Sequence, residues 1–314
     1  MTTRMVRVGA MDAKCPLMLR RAAFLLSAAV LAMSPAPAAA QGGTDIWITD
    51  LRESGSRVEV GRPRIVVNRS GYDNQPSFTR SGDAILFTSI REDEQADIWR
   101  VALASGVITR LTETPQSEYS ATTTPDGASY SVIRVELPDS TQRLWKFPFG
   151  SGSPSLVLNA LRPVGYHLWL SDAMLATFVL GAPNALVLVD SRTERADTVA
   201  RKIGRALVVV PGRDAFTFLQ EGAARGDTNW ISEIDLRTHA IRRVAPAPAG
   251  ADYHLWTRGA RLIAASQTRL FLWVDGRWDV LADFAELGVK GISRLAINST
   301  GDTLAFVAED RATP

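Results

Sequence analysis

Residues 74–112 read NQPSFTRSGDAILFTSIREDEQADIWRVALASGVITRLT, and the way this stretch pairs with itself decides the fold. Ser81-Gly82-Asp83 is turn chemistry, and it is followed by the β-rich run AILFTSI. The polar tip REDEQ leads on to DIWRVAL. A second turn, around Ser105 and Gly106, leads to VITRLT. Turn residues between short apolar or alternating runs predict antiparallel hairpins. The stretch therefore predicts about four strands in about 44 residues, the spacing of a propeller blade.

The unit recurs. Taking turn positions 82, 127, 172, 212, 259 and 301, the steps are 45, 45, 40, 47 and 42 residues. Each turn precedes a β-rich run: AILFTSI, SYSVIRV, MLATFVL, AFTFLQ, RLIAAS and TLAFVAE. A second series reads DIWITDL, DIWRVAL, RLWKFPF, NALVLVD, NWISEIDL and RLFLWVD. No segment of 3.6-residue period interrupts the pattern. The only helix-like candidate is residues 283–287, a single turn.

The ends complete one another. The chain after residue 40 opens with the third and fourth strands of a unit, DIWITDL and RPRIVVN. It closes with a first and second, ISRLAIN and TLAFVAE. Joined in one sheet, they predict an all-β, six-bladed β-propeller closed by pairing of the N-terminal and C-terminal strands in one blade. Closure removes the free sheet edge that invites aggregation.

Residues 1–40 read as a secretory signal peptide. Arg20 and Arg21 precede the apolar run of residues 22–33, then Pro35, Pro37 and three alanines, with a cut before Gln41. Twelve apolar residues are too few for a spanning helix, which needs about 20. A periplasmic or secreted protein is expected, with no membrane anchor after cleavage. Cys15 is the single cysteine, so the core alone must hold residues 41–314. Those residues carry 30 basic against 32 acidic side chains, and no basic stripe argues for nucleic acid.

The pattern Pro76-Ser77-Phe78, turn, Ile-x-Phe-x-Ser, Asp97-Ile98-Trp99 and Thr109-Arg110-Leu111-Thr112 resembles the TolB-type, WD-like β-propeller repeat. Pro125-Asp126-Gly127 matches that family's turn motif. The resemblance covers residues 41–314 in period but only about two units in motif. It implies the propeller fold. The N-terminal α/β domain that accompanies TolB propellers is not expected here, so a role in envelope integrity is not carried over.

Tyr-His-Leu-Trp occurs twice, at residues 166–169 and 253–256, a spacing of 87 that equals two units. Both copies are expected to begin the innermost strands of alternate blades. Loops entering those strands would gather Tyr72, Asp73, Asn74, Glu118, Tyr119, Tyr166, His167, Arg205, Asp252, Tyr253, His254, Lys290 and Arg294 at one channel mouth. Tyrosine, histidine and carboxylate groups in a concave mouth suit a polar ligand or peptide. Imidazole and carboxylate also suit zinc. Packing against a neighbouring blade is the stronger expectation for the two histidines, because blade side chains point at adjacent sheets.

No nucleophile, base and orienter can be assembled from the sequence. A binding module for an envelope or secreted protein or peptide is therefore expected, monomeric and without cofactor or catalysis. The alternative is a metal-dependent propeller hydrolase or cyclase working on a small molecule in the channel.

Overall fold

Runs rich in β-branched and aromatic residues become strands, and the turn clusters between them become hairpins. In the computed structural model, residues 43–224 and 226–310 are described. They hold 25 strands and one 3-10 turn. The predicted leader, its cut before Gln41 and Cys15 lie outside the described residues.

Four sheets are antiparallel, four-stranded and built from consecutive strands. Their first strands are Ser117–Thr123, Val164–Trp169, Ile203–Val209 and Tyr253–Trp256. The remaining sheet joins two such groups. Tyr72–Phe78, Ala84–Ile90, Ala96–Ala102 and Ile108–Arg110 form one. Ser293–Ile297, Thr303–Glu309, Thr44–Ser54 and Arg64–Val67 form the other. The link between them is one parallel pair, Thr44 with Tyr72.

The chain ends meet as the sequence predicts. Thr44–Ser54 pairs with Thr303–Glu309 in a register running from Thr44 opposite Glu309 to Asp50 opposite Thr303. Trp47 stacks on Phe306 with centroids 6.0 Å apart, and Phe306 stacks on Phe284 at 5.6 Å. Burying an aromatic or large aliphatic side chain contributes about 1.5–3 kcal/mol, so this join is a hydrophobic seam as well as a ladder.

Six buried clusters fill the spaces between sheets, each drawing on groups adjacent in sequence. Leu86 and Ile98 meet Tyr130 and Val132; Ile133 and Leu144 meet Leu175 and Val189. Phe178 and Leu186 meet Phe216 and Phe218, and Leu219 and Ile231 meet Leu262. Leu255 and Ile263 meet Trp47 and Phe306; Ile46 and Val307 meet Ile85 and Phe87. A middle strand packed on both faces loses its alternation, which is why AILFTSI is buried at six of seven positions.

Three details differ from expectation. Thr44–Ser54 runs on beyond the predicted strand and turns at Gly55 (φ 59°) to pair with an additional strand, Arg57–Val60. The predicted fourth strand SLVLNAL shrinks to Ser155–Leu156, because the Asn159 and Ala160 amides leave the ladder to donate to the Glu194 carboxylate, both at 2.9 Å. The expected helical turn at residues 283–287 is a 3-10 turn, Ala285–Leu287.

Candidate functional site

The twin Tyr-His-Leu-Trp segments lie on Val164–Trp169 and Tyr253–Trp256. Alternation along a strand sends neighbouring side chains to opposite faces. His167 and Trp169 share one face, and both reach back to the preceding sheet. Ser131 Oγ lies 2.6 Å from His167 Nε2 and accepts from Trp169 Nε1 at 2.9 Å. The second copy repeats this: Thr217 Oγ1 lies 2.8 Å from His254 Nε2 and accepts from Trp256 Nε1 at 2.9 Å.

The hydroxyls donate onward, Ser131 to the Thr122 carbonyl at 3.2 Å and Thr217 to the Val208 carbonyl at 3.3 Å. A hydroxyl has one donor and two lone pairs. All three are used when each imidazole carries its proton on Nε2, which leaves the Nδ1 atoms as buried acceptors without a partner. Burial lowers both imidazoles from 6.5 to about 3, so they stay neutral. Among the described residues no three His, Cys, Asp or Glu side chains are grouped to hold a metal ion. The histidines are fasteners between sheets.

Tyr166 and Tyr253, one residue earlier, face elsewhere. They line a cavity of about 1480 Å³, with Tyr72, Tyr119, Asp252 and Arg294 among its walls. A second cavity of about 160 Å³ lies beyond it along the first strands. Six residues border both and so form the partition: Gln75, Ser120, Tyr166, Arg205, Tyr253 and Arg294. Each comes from a different repeat unit.

Three of the six partition residues carry backbone strain. Gln75 (φ 57°), Ser120 (φ 55°) and Arg294 (φ 48°) adopt the left-handed conformation that favours glycine. Register shifts lie at all three positions. Bulges re-aim side chains and gather beside sites, and each such residue costs about 1–3 kcal/mol.

Hydrogen bonds fix the bulges. Gln75 Oε1 accepts from Ser120 N at 2.7 Å, Ser120 Oγ at 2.9 Å and Thr88 Oγ1 at 3.0 Å, and Gln75 Nε2 donates to Tyr72 Oη at 3.1 Å. Arg294 Nη2 donates to Tyr166 Oη at 3.0 Å, and its guanidinium carbon stands 4.5 Å from the Tyr253 ring centroid and 5.0 Å from that of Tyr166. Arg205 lies over the same Tyr166 ring at 6.0 Å. Burial pushes the Tyr72 phenol up to about 12 and that of Tyr253 higher still, so both remain neutral.

The predicted cluster thus divides. Tyr72, Asn74, Tyr119, Tyr166, Arg205, Asp252, Tyr253 and Arg294 line the wide cavity. His167 and His254 border only the small one and are held in seams. Asp73 and Glu118 line neither cavity, because alternation turns them inward: Asp73 is fully buried 3.5 Å from Arg69 Nε, and Glu118 accepts from Arg134 Nε at 3.0 Å and Thr114 Oγ1 at 2.6 Å. Lys290 is exposed and lines neither cavity. Gln75 and Ser120 escape notice in the sequence. Their signal is position alone, one unit apart and shortly after the predicted mouth residues.

No family profile matches this sequence, and no curated protein does. Solved structures do. A protein from Agrobacterium tumefaciens described as a "putative TolB" superposes with a TM-score of 0.64 at 15% identity, covering 86% of this chain and 99% of that one. The fold is a TolB-like β-propeller. TolB from Acinetobacter baumannii matches with a TM-score of 0.50 at 15% identity over 62% of this chain, which spans 50% of that protein. A Xanthomonas campestris gluconolactonase matches with a TM-score of 0.60 at 10% identity, covering 83% of this chain and 94% of that one. At such identities the likeness is one of fold.

Proposed function

We propose that residues 41–314 form an exported, six-bladed propeller that binds a protein or peptide at the wide end of its channel and performs no chemistry on it. Six units supply six inter-sheet clusters and six partition residues, and the paired chain ends supply the join, which supports a closed ring of six. The carrying observation is the partition itself. It is a polar and aromatic floor of fixed side chains beneath a cavity of about 1480 Å³, large enough for several residues of an extended chain.

Two features favour binding over catalysis. The imidazoles that could serve as bases are locked in seams with Nε2 committed to a hydroxyl. The Tyr72 and Tyr253 phenols are held neutral by burial, which removes them as bases near pH 7. The gluconolactonase likeness keeps a small-molecule hydrolase as the competing reading.

The test is peptide display against the purified protein. Selected peptides should lose binding to Tyr166→Ala and Tyr253→Ala and keep it with a rim-remote variant such as Val280→Thr. Stoichiometric zinc or calcium lost in His167→Ala and His254→Ala, together with lactone or ester turnover, would establish the hydrolase instead. Amino-terminal sequencing of exported protein should begin at Gln41.

A further inference from the structure

The partition holds a cation without a counter-charge. Arg294 reaches inward to Tyr166 and lies against two aromatic rings. Among the described residues no carboxylate lies within 4.0 Å of it or of Arg205. Elsewhere the buried carboxylates Asp73, Asp97, Glu118 and Glu233 each meet an arginine: Arg69, Arg110, Arg134, and Arg213 with Arg242. Guanidinium is always protonated, and a charge withdrawn from water needs a partner. Cation–π contact supplies part of that compensation, and a neutral phenol oxygen supplies a little more.

We propose that Arg294 and Arg205 form an anion subsite at the floor of the wide cavity, taking a carboxylate carried by the bound peptide. The subsite rests on the peptide-binding reading given above. Three observations converge on it. Both guanidinium groups lie against the Tyr166 ring, the half-buried Arg294 at 5.0 Å and the exposed Arg205 at 6.0 Å from its centroid. The bulge at Arg294, with φ 48°, re-aims that side chain at the partition. The planar donor fork of arginine matches a carboxylate in a bidentate manner. Carboxylates also line the wide cavity, at Glu221, Asp227 and Asp252. None is among the six partition residues, whose charged members are both arginines. A ligand would therefore enter with its carboxylate foremost and its cationic groups outward.

The carboxylate could be a chain terminus or an Asp or Glu side chain, and one titration separates the two. Trifluoroacetate is followed by fluorine NMR as the carboxylate probe. It should broaden saturably with the purified protein and be displaced by Gly-Gly-Gly with a free terminus, or by amidated Gly-Glu-Gly if a side chain is preferred. Arg294→Gln should weaken probe binding at least tenfold, and Arg205→Gln about threefold. Should Arg294→Gln fail to fold, Arg205→Gln and Tyr166→Phe, which removes the phenol that orients Arg294, carry the test. Absence of saturable binding to the native protein, or equal binding by both arginine variants, overturns the subsite. Display-selected peptides that still bind both arginine variants but not Tyr166→Ala would overturn the anion subsite alone. Peptides indifferent to all three would overturn the peptide reading as well.

Discussion

His167 and Tyr166 are neighbours in the chain, as are His254 and Tyr253, yet each pair divides between two kinds of environment. The histidines sit in a seam where one hydroxyl from the preceding sheet bonds imidazole and indole together. The tyrosines sit at the channel floor beside an arginine that the protein leaves without a carboxylate. Seam groups are satisfied almost completely by the chain itself, whereas the arginines of the floor have no carboxylate within 4.0 Å among the described residues. Repetition of a motif therefore marks the seam here, and incomplete pairing marks the proposed site.

The largest expected effect is on acid stability. Both seam imidazoles bind a proton in the unfolded chain near pH 6.5 and resist it in the fold down to about 3. The unfolded state thus binds more protons, and stability is full above pH 6.5 and falls as pH drops toward 3. At pH 5 each histidine should have lost about 2 kcal/mol of its pH 7 contribution. Burial raises the Asp73 and Glu118 carboxyls, which act in the opposite sense, so the histidine part is read by difference. Urea unfolding at pH 7 and pH 5 should show a drop that His167→Gln and His254→Gln each reduce by about 2 kcal/mol.

Next in size is the hydroxyl. Thr217→Val keeps the shape and removes the acceptor shared by His254 and Trp256, and should cost about 2–4 kcal/mol in denaturant unfolding. Ser131→Ala should do likewise at the other seam. Neither should alter ligand binding, and a binding loss at unchanged stability would break the distinction between seam and floor.

The floor should behave oppositely. Replacing a half-buried charge that lacks a carboxylate partner with an apolar side chain removes the cost of desolvating that charge. Arg294→Met is expected to keep the unfolding free energy within about 1 kcal/mol of the native value or raise it, while losing anion binding. The smallest effect belongs to Tyr166→Phe, which deletes one hydrogen bond and should cost about 1 kcal/mol or less. A large destabilisation by Arg294→Met would show that the floor is structural.

Much of the fold was legible because turn chemistry and apolar runs recur at a nearly constant step. Ser81-Gly82-Asp83 and Pro125-Asp126-Gly127 are local signals that tertiary context does not override. The pairing of DIWITDL with TLAFVAE followed from complementary ends. The strand Arg57–Val60 was not legible, since RVEV is short and polar and is recruited only because its hairpin partner is already in a sheet. The site was legible by neighbourhood and not by face. Asp73 and Glu118 sit one residue from cavity-lining side chains, and a bulge resets which parity faces the channel. Bulges at Gln75, Ser120 and Arg294 leave no mark in composition, so no count of alternating residues could have placed them.

The division between seam and floor can be read directly from the histidines. Nitrogen-15-edited NMR of the imidazole rings, followed from pH 8 down to acid unfolding, reports tautomer and titration together. His167 and His254 should show a proton fixed on Nε2, an unprotonated Nδ1, and signals that do not move until the protein unfolds. A signal from either residue that titrates near pH 6.5 would put that imidazole in the open channel and contradict the assignment of the pair to the seams.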